Sequence, residues 1–323
     1  MTPVRSPRPA GEPAYRSLLA DGRLAERAAK LDAALSACEL CPRRCRVDRH
    51  RERGRCFTGA EPIVASWGPH FGEEPPISGT SGSGTIFLAN CNLRCAFCQN
   101  ADISQRPAEH VSHASQPEEL AAAMLELQRA GCHNVNWVSP THQLPALARA
   151  LALAAANGLA IPVVYNTNAY DSVEALCLLD GIVDVYMPDL KYADDAVAEE
   201  LSGVPDYPQA SRLAIAEMFR QVGDGWELAA DGTLRRGLLV RVLILPGGLA
   251  GVADTLRWLA GELSPDVAVS LMSQYRPAHR AARLPLRPEL TRTISAGEYR
   301  DAVEALHEFN RSPHTLVQRF VGR

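Results

Sequence analysis

Six short β-rich runs, most of them followed by a helical stretch, limit what this chain can fold into more than any other feature. The runs cover residues 85–88, 134–138, 161–165, 182–186, 238–244 and 267–272. Apolar residues recur at helical spacing over 22–40, 116–130, 145–157, 172–180, 208–222 and 252–263, and 296–310 reads as a closing helix. Such alternation predicts parallel strands, because a parallel partner is reached only through a crossover segment. Asp231-Gly232, within 226–236, marks a hairpin that interrupts the series. The strand runs end in polar residues: Asn90, Ser139, Asn166-Thr167, Asp189, Pro246-Gly247 and Ser273-Gln274. Polar residues gathered at the C-terminal ends of successive parallel strands point to a site at the top of a barrel or partial barrel.

Hydrophobic residues make up 46% and charged residues 22% of the 323, which excludes a disordered or fibrous chain. A net charge of −4 argues against a molecule that binds nucleic acid over its whole surface. The longest apolar stretch, 144–165, is broken by Arg149, Asn157-Gly158 and Pro162, so no membrane association is expected. Residues 1–13 carry four prolines and two arginines; they read as a tail and not as a signal peptide, which predicts a cytoplasmic protein. Thiols there stay reduced, so cysteine clustering points to metal. Of nine cysteines, seven fall in two sets, Cys38-Cys41-Cys45-Cys56 and Cys91-Cys95-Cys98. Cys132 and Cys177 stand alone and read as core thiols.

The second set directly follows the first strand run of the series. Three thiolates leave one coordination position open, which suits zinc or a 4Fe–4S cubane. This C-x3-C-x2-C pattern, with Phe97 before its last cysteine, resembles the signature of the radical S-adenosylmethionine (SAM) superfamily, and the likeness covers about 79–310. The resemblance implies that Cys91, Cys95 and Cys98 hold a 4Fe–4S cluster, that the Phe97 backbone lies beside the adenine, and that SAM chelates the free iron. It also implies reductive cleavage of SAM to a 5′-deoxyadenosyl radical, which abstracts a substrate hydrogen. Asn166-Thr167-Asn168 and Met187-Pro188-Asp189-Leu190-Lys191 resemble segments of pyruvate formate-lyase-activating enzymes, and the group of proteins like these enzymes is the nearest relative. That likeness makes Thr167, Met187 and Asp189 candidate ligands of a monovalent cation, with Asn166 in place of the family's Asp, and makes Lys191 a SAM contact. Only two lysines stand among 31 arginines, which singles out Lys191 further. The second strand lacks the family's Gly-Gly-Glu, so Ser139 or Thr141 is left to accept from the SAM ammonium. Arg241 is either a cation facing the SAM carboxylate or a paired wall residue; His142 is a proton carrier, a substrate contact or a structural histidine; and 274–276 faces the substrate.

Cys38, Cys41, Cys45 and Cys56 supply four thiolates, enough to close a zinc site or an auxiliary Fe–S cluster. Seven arginines interleave them. They offer a solvated face, contacts to RNA phosphates, or a dock for an acidic electron donor. The expected organisation is a flexible tail (1–21), a helix plus Cys-rich module (22–78), a partial (β/α)6 TIM-type barrel (79–312) and a C-terminal extension (313–323). The expected activity is radical SAM chemistry on a protein or small-molecule substrate, fed by a flavodoxin- or ferredoxin-type donor. Alternatives are a glycyl-radical-enzyme activase specifically, an RNA-modifying radical enzyme, and an Fe–S electron-transfer protein without SAM chemistry.

Overall fold

The structure, a computed structural model, describes residues 11–105, 116–284 and 287–320; residues 1–10 of the expected tail lie outside that set. Helices α1 (Tyr15–Ala20) and α2 (Arg23–Ala33) precede the cysteine-rich loop. Then come β1 (Val64–His70), α3 (Pro75–Ser78), β2 (Ser83–Leu88), α4 (Ala101–Ser104), α5 (Pro117–Arg129), β3 (Val135–Val138) and α6 (Leu144–Ala156). The chain continues through β4 (Val163–Thr167), α7 (Val173–Leu178), β5 (Val185–Leu190), α8 (Asp195–Ser202), α9 (Tyr207–Val222), β6 (Glu227–Leu228) and β7 (Leu234–Leu243). It closes with α10 (Val252–Trp258), β8 (Ala268–Met272), α11 (Ala296–Phe309) and β9 (Leu316–Val317).

Strands β2, β3, β4, β5, β7 and β8 pair in parallel in that order. β9 adds a short parallel strand beyond β8, and β1 runs antiparallel along β2. β6 forms the expected hairpin with β7. The result is an α/β fold with a mostly parallel open sheet, as in radical SAM partial barrels. Caps define several helices: Gln116 and Glu119 form a capping box on α5, as do Ser295 and Glu298 on α11. A Cβ at Gly84 would lie 2.5 Å from the Asn134 carbonyl, so only glycine lets β2 lie this close to the chain entering β3.

Strand alternation divides the apolar residues into two cores. Trp137, Tyr165, Tyr186 and Val240 pack outward under the helices. Val164, Val185, Met187, Leu239 and Ala268 pack inward around Ile77. Ile77 belongs to the stretch that reads in the sequence as an irregular connector. In the structure this stretch forms β1 and α3 and plugs the lower mouth of the barrel: the Asn134 side chain donates to the Ile77 carbonyl at 2.8 Å. Gly79 sits against His133 and Thr233, which precede β3 and β7. Full burial of Ile77 contributes roughly 1.5–3 kcal/mol to holding the plug.

Three further expectations need correction. Residues 15–20 are helical, not part of a flexible tail; Tyr15 is fully buried and its hydroxyl donates to the Ile161 carbonyl at 2.9 Å. Cys177 is exposed, because α7 is under two turns long and buries Ala175 and Leu176 instead. Leu316 and Val317, in the expected C-terminal extension, join the sheet.

Candidate functional site

The loop after β2 turns twice, with Asn90 and Arg94 both in the left-handed region at φ 68° and 69°. Asn90 tolerates this geometry better than most residues, and its side chain donates to Thr58 Oγ1 at 3.1 Å. The two turns fold Cys91, Cys95 and Cys98 back so that each lies within electrostatic reach of the others. Cys91 Sγ accepts from the Leu93 N–H at 3.4 Å and from Asn168 Nδ2 at 3.3 Å. Cys98 Sγ lies 3.2 Å from Ser104 Oγ. Burial pushes the Cys91 thiol up and the Cys95 thiol up to about 11, with the Lys191 charge acting against it. Burial thus favours the protonated thiol at Cys91 and Cys95, and a bound metal would displace those protons. Among the described residues no three His, Cys, Asp or Glu side chains converge on one ion. Three thiols on one loop are the donor set a cubane takes, each thiolate binding a different iron. Phe97 is buried, its ring edge-on to Tyr192 at 6.1 Å and to Tyr275 at 6.0 Å.

Inside the barrel a charged layer lies above the Ile77 core. Asp189 on β5 is in register with Arg241 on β7, and Arg241 with Ser270 on β8. Asp189 Oδ1 accepts from Arg241 Nε at 2.6 Å and Oδ2 from Lys191 Nζ at 2.8 Å. Burial works to raise this carboxyl's pKa, but Arg241 and then Lys191 outweigh it and hold it below the usual range. Lys191 is raised: burial acts to lower it, and Asp189 and the Cys95 sulfur prevail. Arg241 also meets Glu73 at 3.1 Å, Glu74 at 3.8 Å and the Asn166 side-chain carbonyl. Glu73 and Glu74 enter from the barrel plug and were not legible in the sequence as site residues. Burial, and after it repulsion from Glu74, raises Glu73 against the pull of Arg241.

A third unforeseen residue is Asp171. Its buried carboxylate accepts from Thr141 at 2.6 Å, Thr167 at 2.6 Å and Tyr165 at 2.7 Å. Thr141 and Thr167 are therefore committed to Asp171. Ser139 adopts φ 56°, and its N–H donates to the Asn166 carbonyl at 2.8 Å.

The cation expectation is not met by the side chains. The Thr167 hydroxyl turns away from the barrel interior, and both Asp189 oxygens already hold cationic side chains. Arg241 is the paired wall residue. His142 is structural: Nε2 lies 2.9 Å from the Ala89 carbonyl, and burial, with Arg49 adding to it, depresses its pKa to about 4. Tyr275 is buried, with its hydroxyl on the Leu290 carbonyl at 2.8 Å, while Gln274 is exposed.

The N-terminal cysteines are gathered as well. Cys38 neighbours Cys45 and Cys41, and Cys41 neighbours Cys56. A Cβ at Gly54 would stand 3.4 Å from both Cys45 Sγ and Cys56 Sγ. Arg49 is buried; it donates to Cys38 Sγ at 3.6 Å and to the His142 carbonyl at 2.9 Å, tying the loop to the barrel top. Arg43 donates to the carbonyls of Leu93 and Ser202 at 3.2 and 3.3 Å. Burial raises Cys41 to about 12.

A groove of about 790 Å³ between α2 and α6, lined by residues such as Leu24, Ala28 and Leu153, contains no cysteine and lies outside this chemistry. No helix among the described residues is long and apolar enough to cross a membrane.

Residues 85–226 match the Radical SAM superfamily. The segment from β2 through α9 is thus a radical SAM domain, a class that uses a 4Fe–4S cluster and SAM. Uncharacterized protein MJ0674 of Methanocaldococcus jannaschii is 31% identical over 279 residues, spanning 84% of this chain and 75% of that protein. The chain belongs to the family of that protein. Uncharacterized protein MJ0808 of the same organism is 26% identical over 176 residues, 50% of this chain and 51% of that protein. A solved radical SAM methyltransferase from Sphaerobacter thermophilus is similar at a TM-score of 0.45 and 18% identity, covering 72% of this chain and 65% of that one.

Proposed function

We propose that the chain is a radical SAM enzyme in which Cys91, Cys95 and Cys98 hold three irons of a 4Fe–4S cluster and leave the fourth for SAM. The observation that carries the reading is the double left-handed turn at the end of β2, which brings the three thiols within electrostatic reach of one another beside Lys191. Backbone N–H donors to Cys91 Sγ fit a bound cluster, whose sulfurs carry negative charge. When bound, the cluster supplies the electron that splits the SAM C–S bond, and the 5′-deoxyadenosyl radical then takes a hydrogen atom from the substrate.

The chain's own residues bind and orient. The Phe97 backbone flanks the adenine, and the ring is fixed between Tyr192 and Tyr275. Lys191 offers a cation to the SAM carboxylate, held in place by Asp189. Ser139, just past the end of β3, accepts from the SAM ammonium in place of Gly-Gly-Glu. A narrower reading, activation of a glycyl-radical enzyme, rests on the Asn166-Thr167-Asn168 and Asp189-Leu190-Lys191 likeness.

Anaerobic reconstitution followed by dithionite and SAM tests the reading. Wild type should yield 5′-deoxyadenosine, and Cys95→Ala should lose both that product and the cluster's absorbance while the fold persists. Unchanged cluster absorbance in Cys95→Ala would contradict the ligand assignment.

A further inference from the structure

The two cysteine sets are distant in sequence but adjacent in space. Asn92 joins them. Its side chain lies beside the Cys41 thiol, and its Oδ1 lies 4.0 Å from Cys91 Sγ. The same side chain is held from both sides: Nδ2 donates to the Tyr170 carbonyl at 2.6 Å, and Oδ1 accepts from Asn168 at 2.8 Å. Arg94 forms a second link. It is a charge neighbour of both Cys91 and Cys56, and its guanidinium lies 4.2 Å from the centre of the Phe57 ring. One rigid side chain thus separates a ligand of one set from a ligand of the other.

The surface over the N-terminal set is strongly basic. Seven arginines face three acids between Cys38 and Cys56, on a chain whose net charge is −4. Arg44, Arg46 and Arg51 have side chains 55%, 71% and 87% exposed and pair with Glu174, Glu39 and Asp48, while Arg53 and Arg55 are exposed too. Four thiols lie beneath them, a donor set that suits an iron–sulfur cluster as well as zinc.

We propose that Cys38, Cys41, Cys45 and Cys56 hold a second iron–sulfur cluster that relays electrons through Asn92 to the three-cysteine cluster, and that the arginine face docks an acidic one-electron carrier protein. The inference rests on the radical SAM reading. One electron leaves the carrier's reduced centre, reduces the N-terminal cluster, passes to the three-cysteine cluster and is consumed when the SAM C–S bond breaks; the carrier is oxidised by one electron per SAM. The same arginines would attract RNA phosphates, but an electron inlet accounts for both the basic face and the sulfur set directly beneath it.

The full chain, reconstituted anaerobically, should carry about eight irons, with no zinc. Cys56→Ala should retain about half that iron together with a spectrum that still responds to SAM. Arg53→Glu/Arg55→Glu leaves every sulfur in place. Its dithionite-driven yield of 5′-deoxyadenosine should match wild type, while its KM for reduced flavodoxin should rise about tenfold at low salt. Zinc in place of the second set of irons overturns the relay. An unmoved KM for flavodoxin overturns the dock, and salt-dependent tRNA binding lost in the same variant would assign the face to RNA. No 5′-deoxyadenosine from wild type with dithionite sinks the radical reading itself; a normal yield alongside zinc sinks only this inference.

Discussion

Replacing Arg241 by Met removes the one cation that holds Glu73, Asp189 and Asn166 together inside the barrel. The side chains of Arg241, Glu73 and Asp189 are only 12%, 8% and 19% exposed, so water cannot substitute for the guanidinium. Taking one partner from a buried ion pair costs about 3–5 kcal/mol, because the remaining charge stays buried and unpaired. The pH dependence follows from the sign of each shift. In wild type the Asp189 carboxyl is depressed, so its contribution is present above the unfolded value of about 3.9 and is lost as pH falls. Without Arg241, burial and the Glu74 charge drive Glu73 further up. A raised carboxyl stabilises below its unfolded value of about 4.3, and that contribution is lost as pH rises through its folded value. The two stability curves therefore converge toward acid. Anaerobic urea unfolding, followed by tryptophan fluorescence, should show the full deficit at pH 7 and a smaller one at pH 5. Adding Glu73→Gln to Arg241→Met should recover part of the loss, since the two residues share one network. A deficit under about 1 kcal/mol at pH 7, or one equal at both pH values, would refute the argument.

Other perturbations separate roles within the site. Lys191→Met should weaken SAM binding about tenfold by calorimetry, roughly 1.4 kcal/mol, whereas unaltered affinity would remove Lys191 from the SAM contacts. Asn168→Leu deletes the N–H donated to Cys91 Sγ, so the cluster's midpoint potential should fall by on the order of tens of millivolts in an EPR-monitored titration; an unmoved potential would show that the bond does not tune the cluster. His142, at about 4 when folded, takes up its proton more readily when unfolded, so wild type should lose up to roughly 3 kcal/mol as pH falls from about 6.5 toward 4. His142→Gln should flatten that loss in denaturant titrations, and an unchanged slope would contradict the burial argument.

The parallel sheet was legible because each inward or outward choice repeats along a strand. Residues 161–165 and 182–186 are apolar on both faces, and the structure uses both, Tyr165 and Tyr186 under the helices and Val164 and Val185 around Ile77. What misled was residues 68–84. Its glycines and prolines read as linker, yet β1 is an edge strand, where Gly68 and Pro69 are tolerated because the ladder bonds on one side only. Helix α8 was missed for a related reason. It is eight residues long; its start and stop signals are the Asp194 side chain and Gly203 at φ 65°, and Val197, Ala198 and Leu201 between them make only one turn of apolar spacing.

The same distinction governs the site. Cys91, Cys95 and Cys98 are local: their spacing and the strand before them lie within one window of sequence, and one loop carries all three. Asp171 lies three residues beyond the Asn166-Thr167-Asn168 segment that resembles activating enzymes, and its role depends on Thr141, thirty positions away. Glu73 and Arg241 are 168 positions apart, and nothing local in either predicts the other. A sequence lists the charged residues but not which carboxylate will neutralise a given guanidinium, because that is decided when the plug inserts and Ile77 finds the inner core. The absent Gly-Gly-Glu therefore left the SAM ammonium without an evident carboxylate. Two further buried acids in the barrel, Glu73 and Glu74, come from a segment before the first parallel strand, and Arg241 already engages both. Any role for them in recognition has to compete with that ion pair, which the pH dependence of Arg241→Met measures directly.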